Sequence, residues 1–444
     1  MNDLSMRHCD LAVLKATVLP GNGPALVDCD IVVRGGHITA MGPGAADGLS
    51  APAVIDGRSL LVTPGLCNGH THSPETLARG LGDGAVLSEW FASVWSRMDR
   101  LDDDAIRLGV LLGAAEMLHG GATAVVDHFR QTPLRPEAVD AAARAWLESG
   151  MCATMALMVR DRAVPDWVEG ALSAAEQVDI VAGCVDRWHD PAGRLRIALG
   201  PSAANRASDA LLRAGGALCR GRGIGMHMHV DETRAEAARS HEEFGVSSVG
   251  RLHELGVLGP HVSLAHCVWC DDDDLDLLAA SGAAVVHNPV SNMRLGSGRA
   301  PVRRMRDKGV RVALGTDGAA SNDTQNMLEA VKYAALLPRA FSDDPANWVG
   351  TQAALSMATT SASAAFGMSD GRLAPGCVAD FAAFDLDALP LVPLNDPARS
   401  SFSAGAAVAA RHVVIGGRVV LDDGVIQAFD EGAVVAAARE RFAR

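Results

Sequence analysis

The chain has 444 residues, 48% of them hydrophobic and 21% charged, the balance of an ordinary globular protein with a large core. Its 39 basic and 53 acidic side chains leave a formal charge of −14, which makes nucleic-acid backbones and anionic membranes poor partners. No apolar run approaches the roughly 18 residues of a membrane span, so no membrane partner is expected.

In chain order, the opening "MNDLSMRHCDLAVLKATVLPG" lacks the apolar core and small-residue cleavage site of an export leader. Nine cysteines are scattered without a framework of close pairs, which favours reduced thiols and a cytoplasmic location. Cys267 and Cys270 in "HCVWC" lack the second pair of a zinc knuckle and read as buried or incidental thiols. "DIVVRGGHITAMGPG" (Asp30 to Gly44) places Gly-Gly between β-branched runs, the mark of a tight hairpin. The pattern returns in "HVVIGGRVVLDDG" (His412 to Gly424), and "ADFAAFDLD" (Ala379 to Asp387) adds another short strand. The simplest reading is a small β-sandwich domain built from residues 1–62 and 376–444, with residues 63–375 inserted between its halves.

The insertion alternates. A strand ending at "GHTH" is followed by "TAVVDH", "ATMALMVR", "LRIALGPS", "GIGMHMHV", "VSLAHC", "AAVVHNP" and "VRVALGTD", with Ala-, Leu-, Arg- and Glu-rich helical stretches between them. Continuous apolar runs suit strands covered on both faces, and eight strand–helix units predict a (β/α)8 barrel. Chemistry in such barrels sits at the C-terminal strand ends. Polar residues cluster there: His70, His72, Asp127, His128, Arg160, Ser202, His227, His229, His266, His287 and Asp317.

Each has a plain alternative. An HxH pair is also two polar residues on a wet face, a lone His266 or His287 is often a satisfied polar residue, and Asp317 in "GTDG" also suits a turn. The acidic runs "LDDDA" and "CDDDDL" open helices, where carboxylates favour the dipole, and lack calcium-loop spacing. What favours a metal is the conjunction. His70 and His72 from the first strand, His229 from the fifth and Asp317 from the eighth supply the three or four N/O ligands of a catalytic site with room for water. Such a site lowers the pKa of water from 15.7 to about 7. Asp317 is placed to take its proton, Glu232 in "HVDE" to reach a substrate, and His266 to polarise the atom under attack.

The motifs "PGLCNGHTHSPETLARGL", "MHMHVDET", "LAHCVW", "VVHNPVSNMRLGSGRAPV" and "LGTDGAASND" resemble those of the amidohydrolase superfamily, in the branch of the triazine hydrolases and the adenosylhomocysteine/methylthioadenosine deaminases. The resemblance runs nearly the whole chain. It implies a barrel flanked by a split β-sandwich, with His70, His72, His229 and Asp317 as ligands of one divalent metal. Zinc is the first expectation, and His/Asp sites also accept iron or manganese. No lysine stands where binuclear relatives place a carbamylated one. Glu232 is implied as the general acid/base at a ring nitrogen, His266 as the polarising histidine and Asp317 as the proton acceptor. Relatives of this kind often form homo-oligomers.

Two positions depart from the nucleoside deaminases of that branch. Their "GPHSPY"-like stretch reads "GPSAANRAS", with Ser202 in place of the histidine, and "WSRMDRL" offers Met98 where a nucleoside-binding Glu is expected. A ribose-bearing substrate is therefore disfavoured. Candidate pocket residues are Trp95 in the loop after the first strand, His128, Arg160, Ser202 and His287. Trp95 also suits core packing, and Arg160 also suits a pair with Asp161. The expected activity is deamination of an amino-substituted nitrogen heterocycle with release of ammonia. Dechlorination of a triazine or opening of a cyclic amide would use the same site. A non-catalytic interaction protein on the same barrel is the third reading.

Overall fold

A computed structural model describes residues 8–162, 172–397, 399 and 405–442. Residues 1–7, which belong to the stretch read above as leader-free, lie outside them. Strands β1 (Leu11–Val18), β2 (Leu26–Arg34), β3 (His37–Gly42), β4 (Ala53–Asp56) and β5 (Leu60–Pro64) come first. Eight more follow: β6 (Leu66–Thr71), β7 (Ala122–Asp127), β8 (Cys152–Val159), β9 (Leu195–Pro201), β10 (Met226–Val230), β11 (Val262–His266), β12 (Ala284–His287) and β13 (Arg311–Leu314). The chain closes with β14 (Phe381–Asp385), β15 (Ala410–Ile415), β16 (Arg418–Asp422) and β17 (Val425–Ile426).

The terminal strands form one sheet in the order β17-β16-β15-β14-β5-β1-β2-β3, with β4 paired to β1. Two glycine pairs account for its corners. Gly35 and Gly36 have φ of 57° and 79°, and Gly416 and Gly417 have 56° and 76°. Positive φ at both central residues is what a two-residue hairpin turn of matching twist demands. The two turns also touch, since a Cβ on Gly36 would lie 2.9 Å from the Gly416 carbonyl oxygen. Pairing of β5 with β14, from Leu60 opposite Asp385 to Pro64 opposite Phe381, joins the two ends of the chain. Leu11, Val13, Ile31, Val33, Ile38 and Phe381 fill the core of this unit.

Strands β6 to β13 follow one another in a second, parallel sheet curled into a nearly closed barrel. Every residue of β7 is buried, as the run "ATAVVD" suggests for a strand covered on both faces. The seam between β13 and β6 is stitched by side chains. Asn68 accepts the Thr316 N–H at 3.0 Å and donates to the Thr316 hydroxyl at 2.7 Å, and the Asp317 N–H donates to the His70 carbonyl at 2.9 Å. The seam thereby holds His70 beside Asp317. The two acidic runs do cap helices: Asp102 accepts the Ala105 N–H, and Asp271 forms a capping box with Asp274.

One local expectation changes. Trp95 lies on a helix, Leu87–Met98, rather than in a loop. Its buried residues Leu87, Trp90, Val94, Trp95 and Met98 form one apolar stripe at helical spacing, which lays the helix across the barrel mouth.

Candidate active site

His70 and His72 end the first barrel strand, His229 lies near the end of β10, His266 ends β11, and Asp317 follows β13. Their side chains meet. Asp317 Oδ1 is 3.3 Å from His70 Nε2 and 3.3 Å from His72 Nε2, and His72 Nε2 is 3.2 Å from His229 Nε2. Ligands held about 2.0–2.1 Å from a tetrahedral ion sit about 3.3–3.4 Å apart, so this donor set fits one such ion. Two overlapping groups, His70/His72/His128/His229 and His70/His229/His266/Asp317, each offer atoms within 4.8 Å of one another.

The outer nitrogens set the tautomers. His72 Nδ1–H donates to the His128 carbonyl at 2.7 Å, and His229 Nδ1–H donates to the Ser202 carbonyl. His70 Nδ1 meets His227 Nε2 at 2.7 Å, and His227 Nδ1 meets the Ser263 hydroxyl at 2.7 Å. All three rings therefore present Nε2 to the centre, the arrangement by which neighbouring groups orient metal-ligating histidines. Burial holds His70 down to about 4 and keeps His72, His128, His227 and His229 below the ordinary imidazole range, so they stand neutral and able to ligate. Burial would raise Asp317, but the His70 hydrogen bond and the polar surroundings supplied by His70, His72 and His266 outweigh it and hold the carboxyl well below its usual range.

Beside this face stand Glu232 and His266. Glu232 Oε2 is 3.9 Å from His266 Nε2, which lies 4.0 Å from Asp317 Oδ2. Glu232 Oε1 accepts from Ser297 at 3.0 Å, and Asn292 Oδ1 is 2.8 Å from His266 Nδ1. Burial pushes Glu232 up to about 7, with His266 opposing. Burial pulls His266 down, yet the Glu232 and Asp317 charges outweigh it and raise the imidazole. His266 and Asp317 also have left-handed backbones, φ 74° and 66°, of the kind that cluster at functional sites.

A narrow cleft, with about 290 Å³ of empty space that is partly open to solvent, borders these groups. Its wall has two parts by chain origin: His72, His229, Glu232 and Asp317 from the strand ends, and Glu75, Leu87, Trp90, Phe91 and Trp95 from the turn and helix that follow β6, with Arg206, Leu295 and Ser321 completing the lining. Arg130 stacks 4.3 Å from the Trp95 ring and Arg206 4.7 Å from Phe91.

The matching family model is the amidohydrolase family, over residues 61–420. This chain belongs to the amidohydrolase family. The amidohydrolase is 35% identical over 414 residues to 5'-deoxyadenosine deaminase of Methanosarcina mazei, covering 92% of each chain. It is 36% identical over 442 residues to 5-methylthioadenosine/S-adenosylhomocysteine deaminase of Nitratidesulfovibrio vulgaris, covering 98% of this chain and 97% of the relative. Its fold overlays a zinc-bound adenosine deaminase of Xanthomonas campestris with a TM-score of 0.89 at 28% identity, covering 98% and 99% of the two chains. An atrazine chlorohydrolase of Arthrobacter aurescens with zinc overlays at 0.90 and 28%, covering 97% and 100%.

The other residues named from the amidohydrolase sequence fall in different places. Trp95 lines the cavity. His128 is off the cavity lining, its Nε2 on the Gly200 carbonyl at 3.1 Å. Arg160 lies 5.5 Å from the Trp95 ring, and Asp161 accepts from Ser208 instead. Ser202 contributes its carbonyl, while its side chain and His287 stay off the cavity wall, with burial holding His287 to about 3. Met98 is buried in its helix and is likewise off the wall. Glu75, Arg206, Trp90 and Phe91 line the cavity without having been singled out, although Glu75 lies within the first quoted motif and Arg206 within the stretch "GPSAANRAS".

Proposed function

We infer that the protein is a zinc-dependent aminohydrolase that replaces the exocyclic amino group of a nitrogen heterocycle by oxygen and releases ammonia. The observation that carries this reading is Glu232, a buried carboxyl raised to about 7 that lines the cavity together with the ligands and the aromatic side chains. His70, His72, His229 and Asp317 would hold the ion, which when bound acidifies water and polarises the carbon under attack. Trp90, Phe91 and Trp95 hold a planar ring and exclude water. Asp317 takes the proton of the attacking water, and Glu232 delivers a proton to the ring nitrogen beside the amino-bearing carbon. His266 supports the oxygen as it becomes the carbonyl, the departing amine takes up the proton held by Asp317 and leaves as ammonia, and the oxygen's remaining proton restores Glu232. The named deaminases among the relatives support the choice of leaving group.

The chlorohydrolase neighbour supports a second reading, in which the leaving group is chloride. Ammonia release by zinc-loaded protein, screened over amino-purines, pterins, pyrimidines and triazines, tests the first. Chloride without ammonia would replace it by the second. All nine cysteines are unpaired, which supports action in the cytoplasm, and no helix among the described residues is long and apolar enough to cross a membrane.

A further inference from the structure

The cavity lining contains a carboxyl that the chemistry above leaves unused. Glu75 is 1% exposed, and neither carboxyl oxygen makes a close hydrogen bond, the Trp95 indole being the donor beside it. It sits in the 3-10 turn Ser73–Ala78 directly after His72, whose carbonyl accepts the Glu75 N–H at 3.0 Å. A Cβ added at Gly318 would lie 1.9 Å from Glu75 Oε2, so the carboxyl occupies space that opens only because residue 318 has no side chain. The turn and the glycine together fix it against the loop that carries Asp317.

The other polar groups on the cavity wall are engaged. Arg206 pairs with Glu236 at 2.6 Å, the Ser321 hydroxyl donates to the Gly318 carbonyl at 3.0 Å, and Trp90 Nε1–H donates to the Ala320 carbonyl at 3.2 Å. With the Trp95 indole as its nearby donor and no close hydrogen bond made, this buried carboxyl keeps acceptor capacity to spare, and a bound ligand's N–H groups would fill it. Ribose hydroxyls would meet a different fate. They would be desolvated against Leu87, Phe91 and Leu295 with no unengaged group besides Glu75 to receive them.

We propose that Glu75 is a specificity-determining residue which accepts hydrogen bonds from a ring N–H or second amino group on the edge of the heterocycle remote from Glu232, and that the substrate is a free, base-sized ring rather than a nucleoside. The assignment of edges rests on the aminohydrolase reading. Burial lifts the Glu75 carboxyl well above its usual range, with Arg130 and Trp95 opposing. In either protonation state it keeps an acceptor oxygen for such a donor.

The test uses zinc-loaded full-length protein and matched pairs of amino-heterocycles, one bearing the remote N–H and the other an N-methyl group there. Calorimetry reads binding and ammonia release reads turnover, independently. The wild type should prefer the N–H member by at least about thirtyfold, and Glu75→Leu should reduce that preference to within about threefold, because a site built to bond a donor penalises its absence. If Glu75→Leu does not fold, the near-isosteric Glu75→Gln should lower the preference by about tenfold, since one acceptor is exchanged for a donor. An undiminished preference in a folded variant overturns the proposal, as does tighter binding of nucleosides than of their free bases. Glu75-dependent preference without any ammonia from the wild type would uphold the anchor while removing the aminohydrolase reading.

Discussion

The two walls of the cavity are held in place differently. On the ligand side, His70, His72, His229 and Asp317 come from the ends of three strands, and each has an outer atom tied to a named partner: His227, the His128 carbonyl, the Ser202 carbonyl and the Ser291 hydroxyl. On the substrate side, Glu75, Trp90, Phe91 and Trp95 come from one turn and one helix, and stacking and apolar burial position most of them. Hydrogen bonds to fixed backbone prescribe a direction, whereas packing prescribes a volume. The ligand wall should therefore fail abruptly when changed, and the substrate wall should yield by degrees.

The largest effect expected follows from the ligand wall itself. Asp317→Ala should bring bound zinc from about one per chain to near zero and cut turnover by on the order of a thousandfold or more, read by metal analysis beside ammonia release. Glu232→Gln, on the same wall but outside the donor set, should keep its zinc and lose roughly a hundredfold or more in kcat. Near-normal turnover in that variant would take Glu232 out of the mechanism. Acid should expose the same wall in metal-free protein. His70 is held to about 4 when folded against 6.5 when unfolded, so its contribution is complete above 6.5 and lost as pH falls through 4. On the order of 3 kcal/mol should disappear across that window by denaturant titration. A flat profile would mean that the His70 ring is not buried.

His227→Ala sharpens the contrast further. It removes the partner of His70 Nδ1 without touching the donor set. Zinc affinity should fall about 10- to 100-fold while KM stays within a few-fold. The opposite split would show that the strand ends and the aromatic wall are not separate units.

The same contrast explains what the amino-acid sequence made legible. Strand ends alternate in register, so "GHTH", "MHMHV" and "GTDG" announce side chains that point one way into the barrel mouth, and Gly-Gly pairs announce the hairpins that join the termini. Trp95, Trp90 and Glu75 carried no such signal. A helix across the mouth shows the same apolar stripe whether it packs on a core or on a substrate, and "SPETLA" reads as an ordinary turn until Gly318 is placed against it. His128 illustrates the converse. It follows a barrel strand as a ligand does, yet its Nε2 is engaged by the Gly200 carbonyl and its ring does not line the cavity.

The smallest effect is expected at the joint between the walls. Ser73 lies between His72 and Glu75, and Asp127 receives its N–H at 2.9 Å, its hydroxyl at 2.6 Å and the Trp146 indole N–H at 2.9 Å. Ser73→Ala removes one of three donors and leaves the other two in place. The net cost should be about 1 kcal/mol, and for a chain of this size a lowering of Tm by about 1–2 °C. The backbone N–H bond to Asp127 still fixes the residue after His72, so zinc content should not change. Beyond Ser73 the turn has lost a tether, and a few-fold rise in KM with kcat preserved is the expected signature of a loosened substrate wall. Zinc affinity falling in step with the KM rise would mean that Asp127 clamps both walls as one body, and the contrast between them would then end at residue 73.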